Sequence, residues 1–310
     1  MHRSGTTWVG HMLCAGGDFV RVGEPLSPSN RQTILRHTTS DWYTYIHAGN
    51  EAPFLRSYRD ALRFRVHPLD DVRRARVLSP RDPGRILERW GSFALGRIQR
   101  RRLLFHDPFA IFSLDWFTER LDCAVVVLVR HPLAVVSGLK RLGWDFDFRN
   151  LTRQPALLED LLEPLREQIE QATASKSIVE QGSLLWRIVY STVHERFASH
   201  PAVHVVRHED LSLEPREGFR RLYEAVGGTY DEQARGTIDQ HSSPDNPTEL
   251  DRADPDARRL DSKANLANWR RRLSDDEIAR ILETAGPTAE NFYPADDFQQ
   301  ILADGAARRA

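Results

Sequence analysis

His2-Arg3-Ser4-Gly5-Thr6-Thr7-Trp8-Val9-Gly10-His11-Met12-Leu13 opens the chain with a polar, glycine-containing turn that runs straight into an apolar stretch. Backbone N–H groups at such a turn and helix start, joined by two threonine hydroxyls and an arginine, make a cradle for phosphate or sulfate. An ordinary helix start would use the same residues differently: Ser4 or Thr6 as cap, Gly5 to permit the turn, Trp8 in the core. Two further elements favour the anion reading, namely Arg130-His131-Pro132 through Lys140, and Lys263 through Arg272. The magnesium-binding P-loop needs two glycines bracketing four residues and then Lys-Ser/Thr. Gly-Lys-Ser/Thr is missing here and the turn is shorter, so the loop suits holding a nucleotide better than cleaving a triphosphate.

Composition places that chemistry on a neutral background. The 310 residues carry a formal net charge of −1, which gives no whole-molecule attraction to nucleic acid or anionic lipid. Anion binding therefore has to be local. Lysine is confined to Lys140, Lys176 and Lys263, the remaining basic residues being arginine. Cys14 and Cys123 sit in apolar surroundings and read as free thiols of a reducing compartment. No stretch has the length of a membrane span and no signal peptide is visible, so the expected location is cytoplasmic.

Short apolar runs end at polar residues: Phe19–Gly23 before Glu24, Arg102–Phe105 before His106, Cys123–Val129 before Arg130, and Val203–Val206 before Arg207-His208. Runs of this kind imply strands of a parallel sheet buried on both faces. Amphipathic stretches at Ile86–Arg100, Leu157–Ala172, Leu184–Ala198 and Arg216–Val226 predict the intervening helices. The expected fold is α/β, a central parallel sheet flanked by helices, with its cleft at the carboxyl ends of the strands, where Glu24, His106, Arg130 and His208 fall. One domain over residues 1–295 is expected, with substrate-covering insertions at about 36–84 and 140–156 and an exposed tail at 296–310.

Arg3-Ser4-Gly5-Thr6-Thr7-Trp8 resembles the 5′-phosphosulfate loop of sulfotransferases that use 3′-phosphoadenosine 5′-phosphosulfate (PAPS). The resemblance continues at Val127-Leu128-Val129-Arg130-His131-Pro132 and at Asn268-Trp269-Arg270. It implies a P-loop-like sulfotransferase fold and PAPS as the sulfuryl donor, with adenosine 3′,5′-bisphosphate as product and no metal required. It also implies that Arg3 contacts the leaving phosphate and that Ser4, Gly5, Thr6 and Thr7 donate hydrogen bonds. Trp8 and His208 would touch adenine; Arg130 and Lys263 would bind the 3′-phosphate. The family's serine eight residues after the arginine is Gly138 here, and the nearest serine is Ser137, so either position serves that phosphate. Gly23-Glu24-Pro25-Leu26 is similar to the Glu-Pro-Leu element of carbohydrate sulfotransferases, which implies Glu24 as base and a saccharide or glycosylated small molecule as acceptor. His106 is the competing base, or an aid to the leaving group. His2 and His11 lack any metal-ligand pattern.

In an α/β nucleotide-binding fold the phosphate loop follows a buried strand, whereas only Met1 and His2 precede Arg3. The expectation is a short apolar strand upstream of Met1 in the natural protein. Rival classes are a P-loop-type small-molecule kinase, which would depend on magnesium, and a nucleotide-binding protein without catalysis.

Overall fold

The computed structural model describes residues 1–29, 34–36, 39–75, 82–249 and 259–294. The expected tail at 296–310 and part of the expected insertion at 36–84 lie outside them.

Four parallel strands form in the predicted places: β1 Phe19–Gly23, β2 Arg102–His106, β3 Val125–Val129 and β4 Val203–Arg207. Valine, leucine and phenylalanine dominate them, as extended segments packed on two faces require. They pair as two ladders. β1 runs beside β2 in register from Phe19↔Arg102 to Gly23↔His106. β3 runs beside β4 from Val125↔Val203 to Val129↔Arg207. Among the described residues, no strand joins the two ladders.

Helices flank these ladders. α1 (Thr6–Leu13) buries Val9, Met12 and Leu13 in a cluster with Leu128, Phe219 and Tyr223. α2 (Pro132–Leu142) starts directly after β3. His131 is its N-cap, Pro132 stands at the first turn, and Gly143 at φ 66° terminates it, the positions where each residue type is favoured. α3 (Ile178–Thr192) is capped by Ser177, whose side chain accepts from Glu180 N. Trp186 and Tyr190 project from it, fully buried. α4 (Asp275–Ala289) begins with a Ser274–Glu277 capping box. α2, α3 and α4 pack on one another.

One expectation needs correction. Leu157–Ala172 is not one helix. It breaks into a π turn (Leu158–Leu162), a 3-10 turn (Glu163–Leu165) and an α segment (Arg166–Ala172). Pro164 has no N–H to donate and clashes with the preceding turn, which amphipathic spacing alone does not register. Within the insertion expected at about 36–84, the described residues form helices at Glu51–Leu62 and Pro68–Ala75.

Candidate functional site

The opening turn is shaped by two left-handed residues, Arg3 at φ 66° and Gly5 at φ 95°. Glycine takes this conformation freely; arginine does so at a cost that marks a constrained site. The chain then enters α1 at Thr6, and Gly5 O accepts from Val9 N at 3.1 Å. The first N–H groups of the helix have no intrahelical partner, and Thr6, Thr7 and Trp8 line the same cavity as Arg3. Ser4 turns inward instead: it is fully buried and its Oγ donates to Met1 O at 2.6 Å.

Between this turn, α2 and the 3-10 helix Ala264–Arg271 lies a cavity of about 190 Å³. Four guanidinium groups line it, those of Arg3, Arg130, Arg141 and Arg272. Burial lowers the Arg3 pKa to about 10, and the positive charges of Arg130, Arg141 and Arg272 push it further in the same direction. Arg130 is lowered first by burial, while Glu209 opposes the shift. Glu209 is itself buried and held by Tyr293 Oη at 2.6 Å and His131 N at 3.1 Å. The Nε atoms of Arg3 and Arg130 are buried without a hydrogen-bond partner among the described residues. Buried donors are rarely left so, and here both belong to cations that repel one another. An anion with several acceptor oxygens satisfies both deficits at once.

The residues anticipated from sequence distribute unevenly around this cavity. Gly5, Thr6, Trp8, Arg130, Ser137, Gly138 and His208 all reach its wall, as does Thr7. The Trp8 ring packs edge-on against Phe219 at 5.1 Å and lies 5.5 Å from the His208 ring. Ser137 is buried and donates its hydroxyl to Ala134 O at 3.1 Å. The backbone of Gly138 lies directly under Arg3, with a built Cβ falling 3.6 Å from its Nε. Burial and Arg130 hold His208 neutral, with its pKa well below the usual imidazole value.

Ser4, Lys263, Glu24 and His106 are not among the described residues of that wall. A 3-10 helix has three residues per turn, so the cavity is met by Ser262, Asn265 and Asn268 along one edge and by Trp269 and Arg272 along the next. Lys263 falls between these rows. Arg272 is the guanidinium that the sequence concealed in the run Arg270-Arg271-Arg272. Its side chain is 19% exposed, against 53% for Arg271. Arg141 was likewise missed, following Lys140, which turns away to Arg272 O at 3.0 Å and to Glu277 at 2.7 Å. Glu249 contacts Arg272 at 2.7 Å and Arg141 at 3.8 Å.

Glu24 and His106 form a second locus, at the carboxyl ends of β1 and β2. Glu24 N donates to His106 O at 2.6 Å, and Glu24 has φ 45°. Burial raises the Glu24 pKa, with Arg21 opposing. The neighbouring Asp107 was not singled out from sequence. Its carboxylate accepts from Leu26 N at 2.6 Å and Phe109 N at 2.9 Å, so it fixes the Glu24-Pro25-Leu26 turn. Burial pushes its pKa up to about 7. Among the described residues, no three His, Cys, Asp or Glu side chains cluster as a metal site, and no helix is long and apolar enough to cross a membrane.

The α/β fold thus carries an arginine-walled cavity at a helix start and a carboxylate at an adjacent strand end. The sulfotransferase-family model matches residues 1–232, and the chain belongs to that family. No curated protein and no solved structure matches the chain.

Proposed function

We propose that this chain takes PAPS as sulfuryl donor and transfers the sulfuryl group to a hydroxyl of a saccharide or glycosylated small molecule. The observation that carries the reading is the pair of buried Nε donors on Arg3 and Arg130, without a partner among the described residues and set across a cavity that also holds a helix start and two more guanidiniums. When bound, PAPS supplies an activated sulfuryl group and a phosphate leaving group. Arg3 and the amides of Gly5, Thr6 and Thr7 hold the 5′ end. Arg130, Arg141 and Arg272 hold the 3′-phosphate, with Ser137 or Gly138 beside them, and Trp8 and His208 flank the base.

Glu24 accepts the acceptor's proton. Burial raises its pKa, which makes it a better base than an exposed carboxylate. The saccharide assignment rests on the resemblance at Glu24-Pro25-Leu26, and Trp144 supports it. That ring is 49% exposed, and its centroid lies 5.8 Å from Arg3 Cζ, so it offers a flat apolar face to a sugar ring beside the donor cavity.

Calorimetric titration with adenosine 3′,5′-bisphosphate in EDTA tests this, with ADP and AMP as controls. Micromolar binding to the bisphosphate and much weaker binding to ADP is the expected result. Equal affinities would overturn the assignment of the 3′-phosphate site.

A further inference from the structure

One end of the arginine cavity already faces an anion from this chain. Glu249 lines the cavity, and its carboxylate lies 2.7 Å from Arg272 Nη2 and 3.8 Å from Arg141 Nη2. The four guanidiniums therefore divide into two sets. Arg3 and Arg130 keep buried Nε donors without a partner among the described residues, whereas Arg141 and Arg272 have a carboxylate in front of them. Burial by itself raises the Glu249 pKa, but the hydrogen bond from Arg272 and the charges of Arg272, Arg141 and Arg271 hold it below the ordinary carboxylate value. The group is a full negative charge at neutral pH.

Glu249 also has a partner on the outside. Arg271 Nη2 lies 3.3 Å from the same carboxylate, and its side chain is 53% exposed. Neighbouring residues of a 3-10 turn point about 120° apart, so Arg272 turns into the cavity while Arg271 is not among the described residues of its wall. Arg271 is steadied by donating to Asn268 Oδ1 at 2.6 Å. The backbone leading to Glu249 is pinned to the same region. Asp261 N donates to Pro247 O at 3.0 Å, and Asn268 Nδ2 donates to Thr248 O at 2.7 Å. A rotation of the Glu249 side chain alone therefore carries its charge from the inner guanidiniums to the outer one.

A phosphate monoester brings up to two charges and three acceptor oxygens to a guanidinium fork, more than a carboxylate does, and two anions on the same guanidiniums repel one another. From this placement we infer that Glu249 is an internal stand-in for the ligand's phosphate: it holds the Arg141–Arg272 end of the cavity until a phosphate displaces it onto Arg271. Every ligand that takes this end has to offset the lost inner contacts. Binding is therefore weaker than four arginines alone would give, and the returning carboxylate speeds departure of the bisphosphate product. The inference rests on the nucleotide reading for the identity of that phosphate, while the exchange itself requires only an anion.

The test is calorimetry and stopped-flow dissociation on the parent chain, Glu249→Gln, Arg271→Ala and the double variant. Glutamine keeps the shape and removes the charge. Glu249→Gln is expected to tighten binding of adenosine 3′,5′-bisphosphate by about three- to tenfold, chiefly through slower dissociation, and to affect AMP less. Weaker or unchanged bisphosphate binding would overturn the inference and make Glu249 a brace for the arginines. An equal gain for AMP would overturn it as well, being a general effect of charge. Arg271→Ala removes the outer partner, so it is expected to weaken bisphosphate binding in the parent chain but not in the Glu249→Gln background. An equal loss in both backgrounds would overturn the exchange. Inorganic sulfate separates a failure here from a failure of the nucleotide reading. Equal binding of bisphosphate and ADP to the parent chain sinks that reading, yet sulfate needs only the arginines, and its stabilising effect on Tm should still be larger in Glu249→Gln than in the parent. An equal sulfate effect in the two chains would overturn the present inference alone.

Discussion

Gly5 and His208 are packed so closely that a Cβ on Gly5 would stand 2.3 Å from His208 Cδ2 and 2.8 Å from its Nε2. Gly5 at φ 95° is thus required twice, by backbone conformation and by the imidazole across from it. His208 is fixed in turn, with Ser212 Oγ 3.3 Å from its Nδ1. The turn at Arg3–Gly5 is therefore braced by a residue two hundred positions away, at the end of β4.

Gly5→Ala is expected to destabilise the protein by about 2–4 kcal/mol, combining overpacking with a left-handed non-glycine residue. It should also abolish measurable bisphosphate binding at micromolar concentrations. Urea denaturation measures the first effect and calorimetry the second. Because the clash is with the ring, adding His208→Ala should recover part of the lost stability but not the φ penalty. Additive losses in the double variant would show that the two residues do not act through this contact.

Arg130→Ala and Arg272→Ala are each expected to weaken bisphosphate binding by about 1.5–3 kcal/mol, the range for a hydrogen bond to a charged group. That corresponds to roughly 10- to 150-fold in Kd. Stability in the absence of ligand should change little for Arg272→Ala, since relief of its repulsion with Arg3 and Arg130 is offset by loss of the 2.7 Å contact with Glu249. Lys263→Ala should change affinity little, because Lys263 falls between the rows that face the cavity. Titration of all three variants separates the structural assignment of Arg272 from the motif-based assignment of Lys263.

What the sequence revealed and what it concealed divide along one physical line. Strand ends were legible because an apolar run stopping at a polar residue is a local pattern, so Glu24, His106, Arg130 and His208 were located correctly at the carboxyl ends. The turn at Arg3–Thr7 was legible for the same reason. Arg272 was not, because a run of three arginines reads as solvated surface, and only the 3-10 geometry of Ala264–Arg271 brings the third one inward. The choice between Ser137 and Gly138 was posed as alternatives. Both reach the cavity, and the serine hydroxyl is turned back onto Ala134 O.

Glu24→Gln should lower turnover by about 10²–10⁴-fold with bisphosphate affinity near that of the parent chain. The pH profile gives a second readout. The base must be deprotonated to act, and burial raises the Glu24 pKa. The acid limb of kcat/KM should therefore lie above the ordinary carboxylate range, with activity falling as pH drops through it. Turnover unchanged in the glutamine variant would transfer the role to His106.

Stability should fall in mild acid. Burial lowers the pKa of His2 and His131 to about 3, and that of His208 well below its usual value. Below pH 6.5 the unfolded chain binds protons that these three imidazoles refuse when folded. Each such group reduces stability by up to about 1.4 kcal/mol per pH unit. Asp107 acts with the opposite sign, since its pKa of about 7 makes the folded state the better proton binder as pH falls. The Met1 amine, lowered by burial to about 5, adds a fourth loss. Glu24 and Glu209, raised by burial, join Asp107 in opposing it. The imidazoles and the amine outnumber the carboxyls, so stability is expected to decline from roughly pH 6 to 4.5. Urea midpoints across that range measure it. His131→Asn preserves the cap on α2 and should reduce the slope by about one histidine's share; an unchanged slope would remove His131 from the titrating set.

Gly138→Ser tests whether the cavity takes the 3′-phosphate proposed for it. A Cβ at this position meets only Arg3, with Nε at 3.6 Å and Cβ at 3.8 Å, both ordinary contact distances. The residue lies within α2 and its φ is not left-handed, so a serine costs the helix nothing relative to glycine. Its hydroxyl would stand beside the Arg3 guanidinium on the cavity wall and add one donor for an anion oxygen. Stability should therefore be equal or slightly higher, and affinity for adenosine 3′,5′-bisphosphate should rise by about 0.5–1.5 kcal/mol, or up to roughly tenfold. Affinity for AMP, which lacks the 3′-phosphate, should not change. A gain shared by AMP would place the position beside the 5′-phosphate instead. A loss would mean that the close approach of the glycine backbone, rather than any side chain, is what this site uses.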